Sequence, residues 1–326
     1  MKKALLLLVA LTLASVSAPA GQKAIKDIRI GLSMKQQTSP YFTAQIEIAK
    51  DRAKEMGFTL IALDAQGNLE KQISDVDDLL AQNIDILLIN AIDPEAIVPA
   101  TKAATRAGVP VIGFDTLIDS SGDFVTVVLS NNFENGRAVG AYAAQFYADK
   151  PAKAAVLSGT KGNTPGRDRR TGFFTGFIEQ ELLTKGKCTL ELQVQGWGDW
   201  GQDEGLKAME DIIIAYPDIN MLIAENDNMA LGAMKAIQEA GRVDQIRIFA
   251  VCDGQKEAME LIKNNNEGNY MATGMNDPSL VCNTAIDVAL DIIQKGATDI
   301  PKIYYTPPVA VTIENVAKYY RPDAIF

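Results

Sequence analysis

Four apolar runs of strand length each end on a short amide or acid, and they form two matched pairs. The first pair is Asn90 after ILLI and Asn226 after MLIAE; the second is Asp115 after VIGF and Asp253 after IFAVC. The members of these pairs are 136 and 138 residues apart. This spacing indicates that one α/β unit occurs twice, with a polar side chain at equivalent strand ends. Ligands of parallel sheets bind beyond those carboxyl ends.

Strands and helices alternate in both halves of the chain. The strand runs are rich in Ile, Val and Leu without polar alternation, which is typical of a parallel sheet buried on both faces. Asp93-Pro94-Glu95 offers a capping side chain and a first-turn proline for one of the helices. The pattern predicts an α/β fold of two similar doubly wound parallel-sheet lobes. The predicted helices are 40–55, 69–81 and 94–107 in the first half, and 169–183, 202–215 and 228–239 in the second.

Segments outside the repeats predict how the lobes connect. The chain after residue 268 is too short for a third domain, so we expect it to complete both lobes. The N-terminal lobe is predicted over 26–129 plus about 277–306, and the C-terminal lobe over 130–276 plus about 307–326. Several parallel crossings form a hinge. We expect these crossings within 123–136, within 270–278 and near 306–308.

The first 20 residues have the features of a secretory signal. Lys2 and Lys3 precede the apolar stretch 4–16, and Ala18-Pro19-Ala20 fits cleavage after Ala20. The first cysteine is Cys188, so none lies near the predicted cleavage site to carry a lipid. We therefore expect a signal peptide over 1–20 and a free periplasmic protein.

Composition excludes several functions. The chain contains no histidine, which excludes Ser-His or Cys-His catalysis and any His-ligated metal. Without residues 1–20 the chain has 29 basic and 41 acidic residues and a net charge of −12, so nucleic acid is a poor partner. The three cysteines, Cys188, Cys252 and Cys282, allow at most one disulfide.

The four strand-end side chains are predicted to meet in a cleft between the lobes, which is a favoured place for a ligand. A carboxylate accepts protons from two hydroxyl groups, and an amide both donates and accepts, so this set suits a hydroxyl-rich ligand. Asn and Asp are also common helix caps, and that structural role is the alternative for each of them. Their repetition in both halves favours ligand binding.

Aromatic and cationic side chains in nearby segments add to this set. Tyr41 and Phe42 follow the first strand, and Trp197 and Trp200 follow the second strand of the other half. Flat rings stack on the C–H faces of sugars, although aromatic residues are also typical of a core. Arg169 lies in GNTPGRDRRTGF, predicted as a loop before a helix, and a guanidinium carries five fixed donors.

Two other functions stay open. Gly196–Gly201 matches G-x-G-x-x-G between a strand and a helix, and Glu225 ends the next strand, as in dinucleotide-binding proteins. Two tryptophans in that turn oppose a close approach of pyrophosphate to the backbone. Asp115, Glu225 and Asp253 would also allow carboxylate-based hydrolysis of a glycoside. The mixture of amides, acids, aromatic rings and an arginine is more typical of sugar binding.

Motifs along the whole mature chain carry a resemblance to a known family. They resemble those of the ribose and galactose type of periplasmic sugar-binding protein, the type I solute receptors of ABC importers. ENDNMALGA at 225–233 is an especially close match. The other motifs are SPYF at 39–42, LLIN at 87–90, VIGFD at 111–115, RDRRTGF at 167–173, GDW at 198–200 and VCDG at 251–254.

The resemblance implies that a monosaccharide or polyol binds between the lobes and passes to a membrane permease. It leaves a chemoreceptor partner open, and we expect a monomer. No cofactor is expected, and no structural metal, because the calcium loop of glucose and galactose binders is not recognisable near 149–158. The ligand-binding residues implied are Ser39, Tyr41, Phe42, Asn90, Asp115 and Thr116 from one lobe, and Arg169, Trp200, Asn226, Asp253 and Asn276 from the other.

Four positions depart from the ribose pattern. Ribose binders typically have Asn at the position of Ser39, Arg at Thr116, an aromatic residue at Cys252 and Gln at Asn276. Without the arginine beside Asp115, the site lacks the paired hydrogen-bond donors of a guanidinium. The smaller side chains also leave room for a different ligand. A hexose, a pentose, a polyol or an inositol therefore fits the pattern.

Overall fold

The structure is a computed structural model that describes residues 23–148, 150–264, 269–296 and 299–326. The predicted signal peptide, 1–20, lies outside the described residues. A 3-10 helix at Ile25–Asp27 leads into the first strand. In the part of the chain that the structure describes, no helix is long and apolar enough to cross a bilayer.

The strands form two six-stranded sheets, each flanked by helices on both faces. In chain order the strands are β1 (Arg29–Met34), β2 (Thr59–Asp64), β3 (Ile86–Ile89), β4 (Val111–Phe114), β5 (Thr126–Ser130), β6 (Ala152–Ser158), β7 (Leu190–Trp197), β8 (Met221–Ala224), β9 (Arg247–Ala250), β10 (Tyr270–Gly274), β11 (Ile303–Thr306) and β12 (Ala310–Thr312). The helices are α1 (Pro40–Met56), α2 (Leu69–Ala81), α3 (Val98–Arg106), α4 (Asn132–Phe146), α5 (Thr164–Lys185), α6 (Gln202–Ala215), α7 (Asp227–Glu239), α8 (Lys256–Asn264), α9 (Pro278–Lys295) and α10 (Val316–Tyr319).

The two sheets have equivalent strand orders. The first runs β11-β5-β4-β3-β1-β2 and the second β12-β10-β9-β8-β6-β7. The pairings are parallel except that β12 is antiparallel to β10. The central strands are buried on both faces, which explains their continuous apolar sequence. The predicted fold class, two doubly wound α/β lobes, is confirmed.

Within the described ranges, the chain passes between the sheets in three short segments. One lies between β5 and α4, one between β10 and α9, and one between β11 and β12. Residues 126–130 and 270–274, which the sequence suggested as connecting segments, are strands instead. Both runs are rich in apolar or β-branched residues, and they extend their sheets before the chain crosses.

Two helices begin four or more residues away from their predicted starts. The third helix starts at Val98 and not at 94, because Pro99 has no N–H to donate to the carbonyl of Glu95. Asp93 instead caps a turn, since its Oδ1 accepts from the N–H groups of Glu95 and Ala96 at 2.9 and 2.8 Å.

The other difference concerns α5, which starts at Thr164 rather than at 169. Asn163 caps this helix by accepting from the N–H of Gly166 at 3.0 Å, and Pro165 occupies its first turn. Arg169 therefore lies in the second turn of the helix, whereas the sequence predicted it at the junction between a loop and the helix start. A helix holds the guanidinium in a more fixed position than a loop would.

Helices α4 and α5 pack with their backbones in contact, through glycines on both. A Cβ added to Gly140 would lie 2.1 Å from the carbonyl oxygen of Phe173, and one added to Gly176 would lie 2.0 Å from that of Arg137. Gly136 and Gly172 face equally close carbonyl oxygens on the opposite helix. Only glycine allows this approach. The contact fixes α5 relative to α4.

Candidate functional site

Polar side chains gather at the carboxyl ends of the strands in the first lobe. Asn90 follows β3 and is fully buried, and Asp115 follows β4 in a left-handed conformation with φ 62°. Asn90 Nδ2 lies 3.4 Å from Asp115 Oδ2, and Thr116 Oγ1 donates to Asn90 Oδ1 at 3.0 Å. Three of the predicted site residues are thus in one hydrogen-bonded group.

Lys35, which sequence reasoning missed, joins this group. Its Nζ donates to Thr116 Oγ1 at 3.2 Å, lies 3.8 Å from Asp115 Oδ2 and sits 4.3 Å from the centroid of the Phe42 ring. Burial lowers the pKa of Lys35, and the neighbouring Asp115 carboxylate opposes that shift. The signal was its position directly after β1, at the same edge of the sheet as the other strand-end residues.

Gln45 on α1 is a second residue that the sequence did not indicate. It is fully buried, and its Oε1 lies 3.4 Å from Asn90 Nδ2. Its own Nε2 is buried and has no partner among the described residues. The polar group in this lobe therefore extends one residue behind Asn90.

In the second lobe a buried guanidinium is held on three sides. Arg169 Nη2 lies 2.9 Å from Asp253 Oδ1, Nη1 donates to the carbonyl oxygen of Glu225 at 3.0 Å, and Nε donates to Asn132 Oδ1 at 2.8 Å. Arg169 and Asp253 are only 6% and 8% exposed, so solvent screens their ion pair little. Asn132, on the first turn of α4, is another residue that sequence reasoning missed.

A hydrogen-bond chain connects the lobes through Tyr41. Tyr41, in the first turn of α1, donates from its hydroxyl to Asn276 Oδ1 at 3.0 Å, and Asn276 Nδ2 donates to Asp253 Oδ1 at 3.0 Å. Burial, and then Asp115 and Asp253, raise the pKa of Tyr41 well above its usual range. The phenol therefore stays protonated and acts as a donor. The Tyr41 ring also makes an edge contact with Phe326 at 5.4 Å between centroids.

Trp200 lies in the turn between β7 and α6, with φ 64°. Its indole ring covers Gly159, where an added Cβ would lie 2.0 Å from the ring. The Arg169 guanidinium carbon is 5.5 Å from the ring centroid, within cation–π range. Asn228 fixes the turn by donating from Nδ2 to the Trp200 carbonyl oxygen at 3.0 Å. The ring and the guanidinium thus form one wall.

Three residues singled out in the sequence are placed differently from this group. Ser39 is the half-exposed N-cap of α1 and makes no side-chain capping bond. Asn226 caps α7, since its Oδ1 accepts from the N–H of Met229 at 3.0 Å; its Nδ2 is 3.4 Å from the Trp200 carbonyl oxygen. Trp197 is 40% exposed at the end of edge strand β7 and lines a separate surface groove of about 510 Å³ with Tyr216.

Charges at the site balance. Lys35 and Arg169 supply two buried or half-buried cations, and Asp115 and Asp253 two carboxylates, each near its own cation. A charged ligand would leave one of these groups without its partner inside a poorly solvated site. Hydroxyl groups can share all four, so the arrangement suits a neutral polar ligand.

Two α/β lobes that share three crossings and face each other with matched polar groups define the class of two-lobed, hinged binding proteins. The chain belongs to the family described as periplasmic binding protein domain, whose model matches residues 30–298. The resemblance to periplasmic sugar-binding proteins of ABC importers is confirmed. The family consists of solute-binding proteins.

Relatives and solved structures agree with this assignment. The chain is 34% identical over 306 residues to the ribose import binding protein of Bacillus subtilis, covering 90% of this chain and 94% of that one. It is similar to an ABC transporter periplasmic solute binding protein from Actinobacillus succinogenes with bound D-allose, at TM-score 0.79 and 28% identity over 90% of this chain and all of that one. A Caulobacter myo-inositol binding protein has TM-score 0.75 and 26% identity, covering 89% of this chain and 95% of that one.

Proposed function

We propose that this protein binds a neutral monosaccharide or polyol between its lobes and delivers it to the permease of an ABC importer in the periplasm. The observation that carries the proposal is the balanced set of two carboxylates and two cations, joined by amides and a phenol across the lobes. The names of similar proteins support it, since they specify ribose, D-allose and myo-inositol.

The proposed ligand contacts follow the two polar groups. Asn90 and Asp115 would bond hydroxyls from one lobe, with Lys35 and Thr116 beside them and Phe42 forming the apolar wall. Arg169, Asp253 and Asn276 would bond from the other lobe, where Trp200 would stack on the ring. Tyr41 would close the side towards the hinge.

We keep Ser39 and Asn226 as proposed contacts, since the half-exposed hydroxyl of Ser39 and the weakly bonded Nδ2 of Asn226 have donor capacity left.

Smaller or different side chains at four positions support a ligand other than ribose. Thr116 lacks the guanidinium that the ribose pattern has at this position. Lys35 provides an ammonium group instead, which is a point charge, whereas a planar guanidinium would donate to two ligand oxygens. Cys252 is fully buried beside Asn132 and Asn135, so the aromatic wall of ribose binders is missing there. We propose that the ligand is a hexose, a pentose, a polyol or an inositol.

We propose a binding protein rather than an enzyme. Hydrolysis of a glycoside requires one carboxyl group as acid and one as base or nucleophile. Here Asp115, Glu225 and Asp253 each face a cation, so none of the three carboxyl groups is set apart as the acid. Turnover of nitrophenyl glycosides by the purified protein would contradict this proposal.

The glycine motif at 196–201 also fits a structural role better than dinucleotide binding. Asp203 and Glu204 lie in the first turn of α6, where a pyrophosphate would have to bind. A Cβ on Gly201 would lie 2.0 Å from Glu204 Oε2, so that carboxylate already fills the space beside the glycine. Two like charges at this helix end oppose a pyrophosphate.

Export, lobe boundaries and assembly complete the proposal. We propose cleavage near Ala20, an N-terminal lobe over 26–129 plus about 277–306, and a C-terminal lobe over 130–276 plus about 307–326. The protein would act as a monomer with the permease as its partner, and a chemoreceptor is a further candidate partner. N-terminal sequencing of the periplasmic protein tests the cleavage site.

A thermal-shift screen of sugars, polyols and inositols tests the ligand class. A ligand at a thousand times its Kd adds about 4 kcal/mol to the free energy of unfolding, which raises Tm by several degrees. Asp253→Asn should abolish the shift, whereas Asp291→Asn, at a position exposed on α9, should retain it. Tyr41→Phe is a milder second variant and should weaken the shift. The absence of any shift across the whole panel would contradict the proposal.

A further inference from the structure

The three crossings between the lobes meet at one buried side chain. Ser130 ends the strand before the first crossing, Met275 lies in the second and Val309 in the third. Met275 and Val309 are already joined, because the Met275 N–H donates to the Val309 carbonyl oxygen at 2.8 Å. Asn135, on the first turns of α4, reaches all three segments.

Both the donor nitrogen and the acceptor oxygen of the Asn135 amide are used at this point. Its Nδ2 donates to the Met275 carbonyl oxygen at 2.7 Å and to Ser130 Oγ at 3.0 Å, and its Oδ1 accepts from the Val309 N–H at 3.0 Å. Asn135 is fully buried, so the groups that it pairs lie away from bulk water. A buried donor or acceptor left unpaired destabilises the arrangement that buries it, by about 1–3 kcal/mol.

Asn135 is also connected to the ligand site through α4. Asn132, one turn earlier on the same helix, accepts from Arg169 Nε at 2.8 Å. The glycine contacts between α4 and α5 fix that helix relative to the one that carries Arg169. A rotation of α4 against the crossings would therefore move the guanidinium as well.

We propose that Asn135 is the positioning residue that sets the balance between the open and closed arrangements of the lobes. It carries no ligand contact; it holds the three crossings in the geometry in which Tyr41 of one lobe reaches Asn276. Without its amide, the crossings lose their common partner, and the closed geometry is favoured less. The inference rests on the proposed function only in that ligand affinity depends on closure.

Asn315 provides a matched control. Its Oδ1 accepts from the Thr312 N–H at 2.9 Å and its Nδ2 donates to the Ala310 carbonyl oxygen at 2.9 Å. It thus ties side chain to backbone as Asn135 does, but within the second lobe. Asn315→Ala should lower Tm without moving the lobes relative to each other.

The test measures the distance between lobes directly, before any ligand is added. Spin labels at Lys54→Cys on α1 and Lys207→Cys on α6 report it in a Cys188→Ser background, because Cys252 and Cys282 are buried. Asn135→Ala should broaden the ligand-free distribution and shift it to longer distances, and should weaken sugar affinity about tenfold through faster dissociation. Asn315→Ala should keep the wild-type distribution.

A milder variant keeps the test decisive if Asn135→Ala does not fold. Ser130→Ala removes one of the hydrogen bonds of Asn135 and should give an intermediate shift. Wild-type distributions in every folded Asn135 and Ser130 variant would overturn the inference. If no sugar binds to the wild type, the proposed function fails, whereas the ligand-free distances still decide the role of Asn135.

Discussion

At the residue scale, Lys35, directly after β1, supplies the cation that the ribose pattern places after Asp115. Lys35 donates a hydrogen bond to Thr116, although the two residues are 81 positions apart in the chain. We expect Lys35→Met to leave the Asp115 carboxylate without its cation and to weaken sugar binding at least tenfold, about 1.4 kcal/mol. Isothermal titration calorimetry measures this loss.

Lys50→Met is the control for this variant, since Lys50 lies on α1 in the same lobe and, among the described residues, pairs only with Glu47 at the surface. Exposed pairs of this kind contribute about 0–1 kcal/mol to stability. Equal affinities for Lys35→Met and Lys50→Met would exclude Lys35 from the site.

Asp227, below the site, makes stability depend on pH. Its carboxylate accepts from the N–H groups of Asp253, Gly254 and Gln255 at 3.0, 2.7 and 2.7 Å, and from the Tyr270 hydroxyl. Burial outweighs these bonds and raises the pKa of Asp227 from 3.8 to about 6. The native state then holds a proton that the unfolded state has lost, so stability decreases as pH rises from about 4 through 6.

Two measurements check this pH dependence. The carbon-13 shift of the Asp227 carboxyl should titrate with a midpoint near 6. In urea unfolding, the stability of the wild type relative to Asp227→Asn should fall between pH 4 and pH 7, because the variant has no carboxyl to titrate. A carboxyl midpoint near its ordinary value of 3.8 would contradict the effect of burial.

At the element scale, the contact of α4 with α5 positions the guanidinium of the site. Gly140→Ala places a Cβ 2.1 Å from the Phe173 carbonyl oxygen, so the helices must separate. We expect a loss of about 1–3 kcal/mol in the free energy of unfolding, as for other overpacked contacts. Sugar affinity should fall as well, because Arg169 moves with α5.

Thr171→Ala is the control for the helix contact, because Thr171 is exposed on α5. It should change neither Tm nor affinity by a comparable amount. Chemical denaturation and calorimetry measure both quantities. A Gly140→Ala variant as stable as Thr171→Ala would show that the helices tolerate the methyl group.

The helix boundaries also show where the local sequence pattern fails to predict the start of a helix. The helices 69–81 and 202–215 were predicted with their observed bounds, since their apolar periodicity and flanking turns agree. The start of α3 was misplaced because Pro94 and Pro99 both resemble a first-turn proline, and the missing N–H of Pro99 places the second of them in the first turn. The start of α5 was misplaced because Arg167, Arg169 and Arg170 obscure the amphipathic pattern, although Asn163 and Pro165 mark the true start.

At the scale of the whole molecule, we expect the lobes to close around the ligand. The ligand touches both polar groups only when Tyr41 and Asn276 are near each other, so it favours the closed arrangement. Small-angle scattering should show a smaller radius of gyration with a bound sugar than without one. Addition of a sugar that gives no thermal shift is the control. An unchanged radius with a tight ligand would contradict closure.

The sequence by itself determined the two-lobed α/β fold and the strand ends at which polar groups collect, because apolar strand runs and short polar side chains are local signals. Asn90 and Asp115 could be predicted for one polar group and Asp253 for the other. The tertiary structure decided which distant residues join them. Gln45, Asn132 and Asn135 have no distinguishing local pattern, and Lys35 has only its position after β1. Their roles depend on contacts across the sheets and crossings, and only the packing of the folded chain sets those distances.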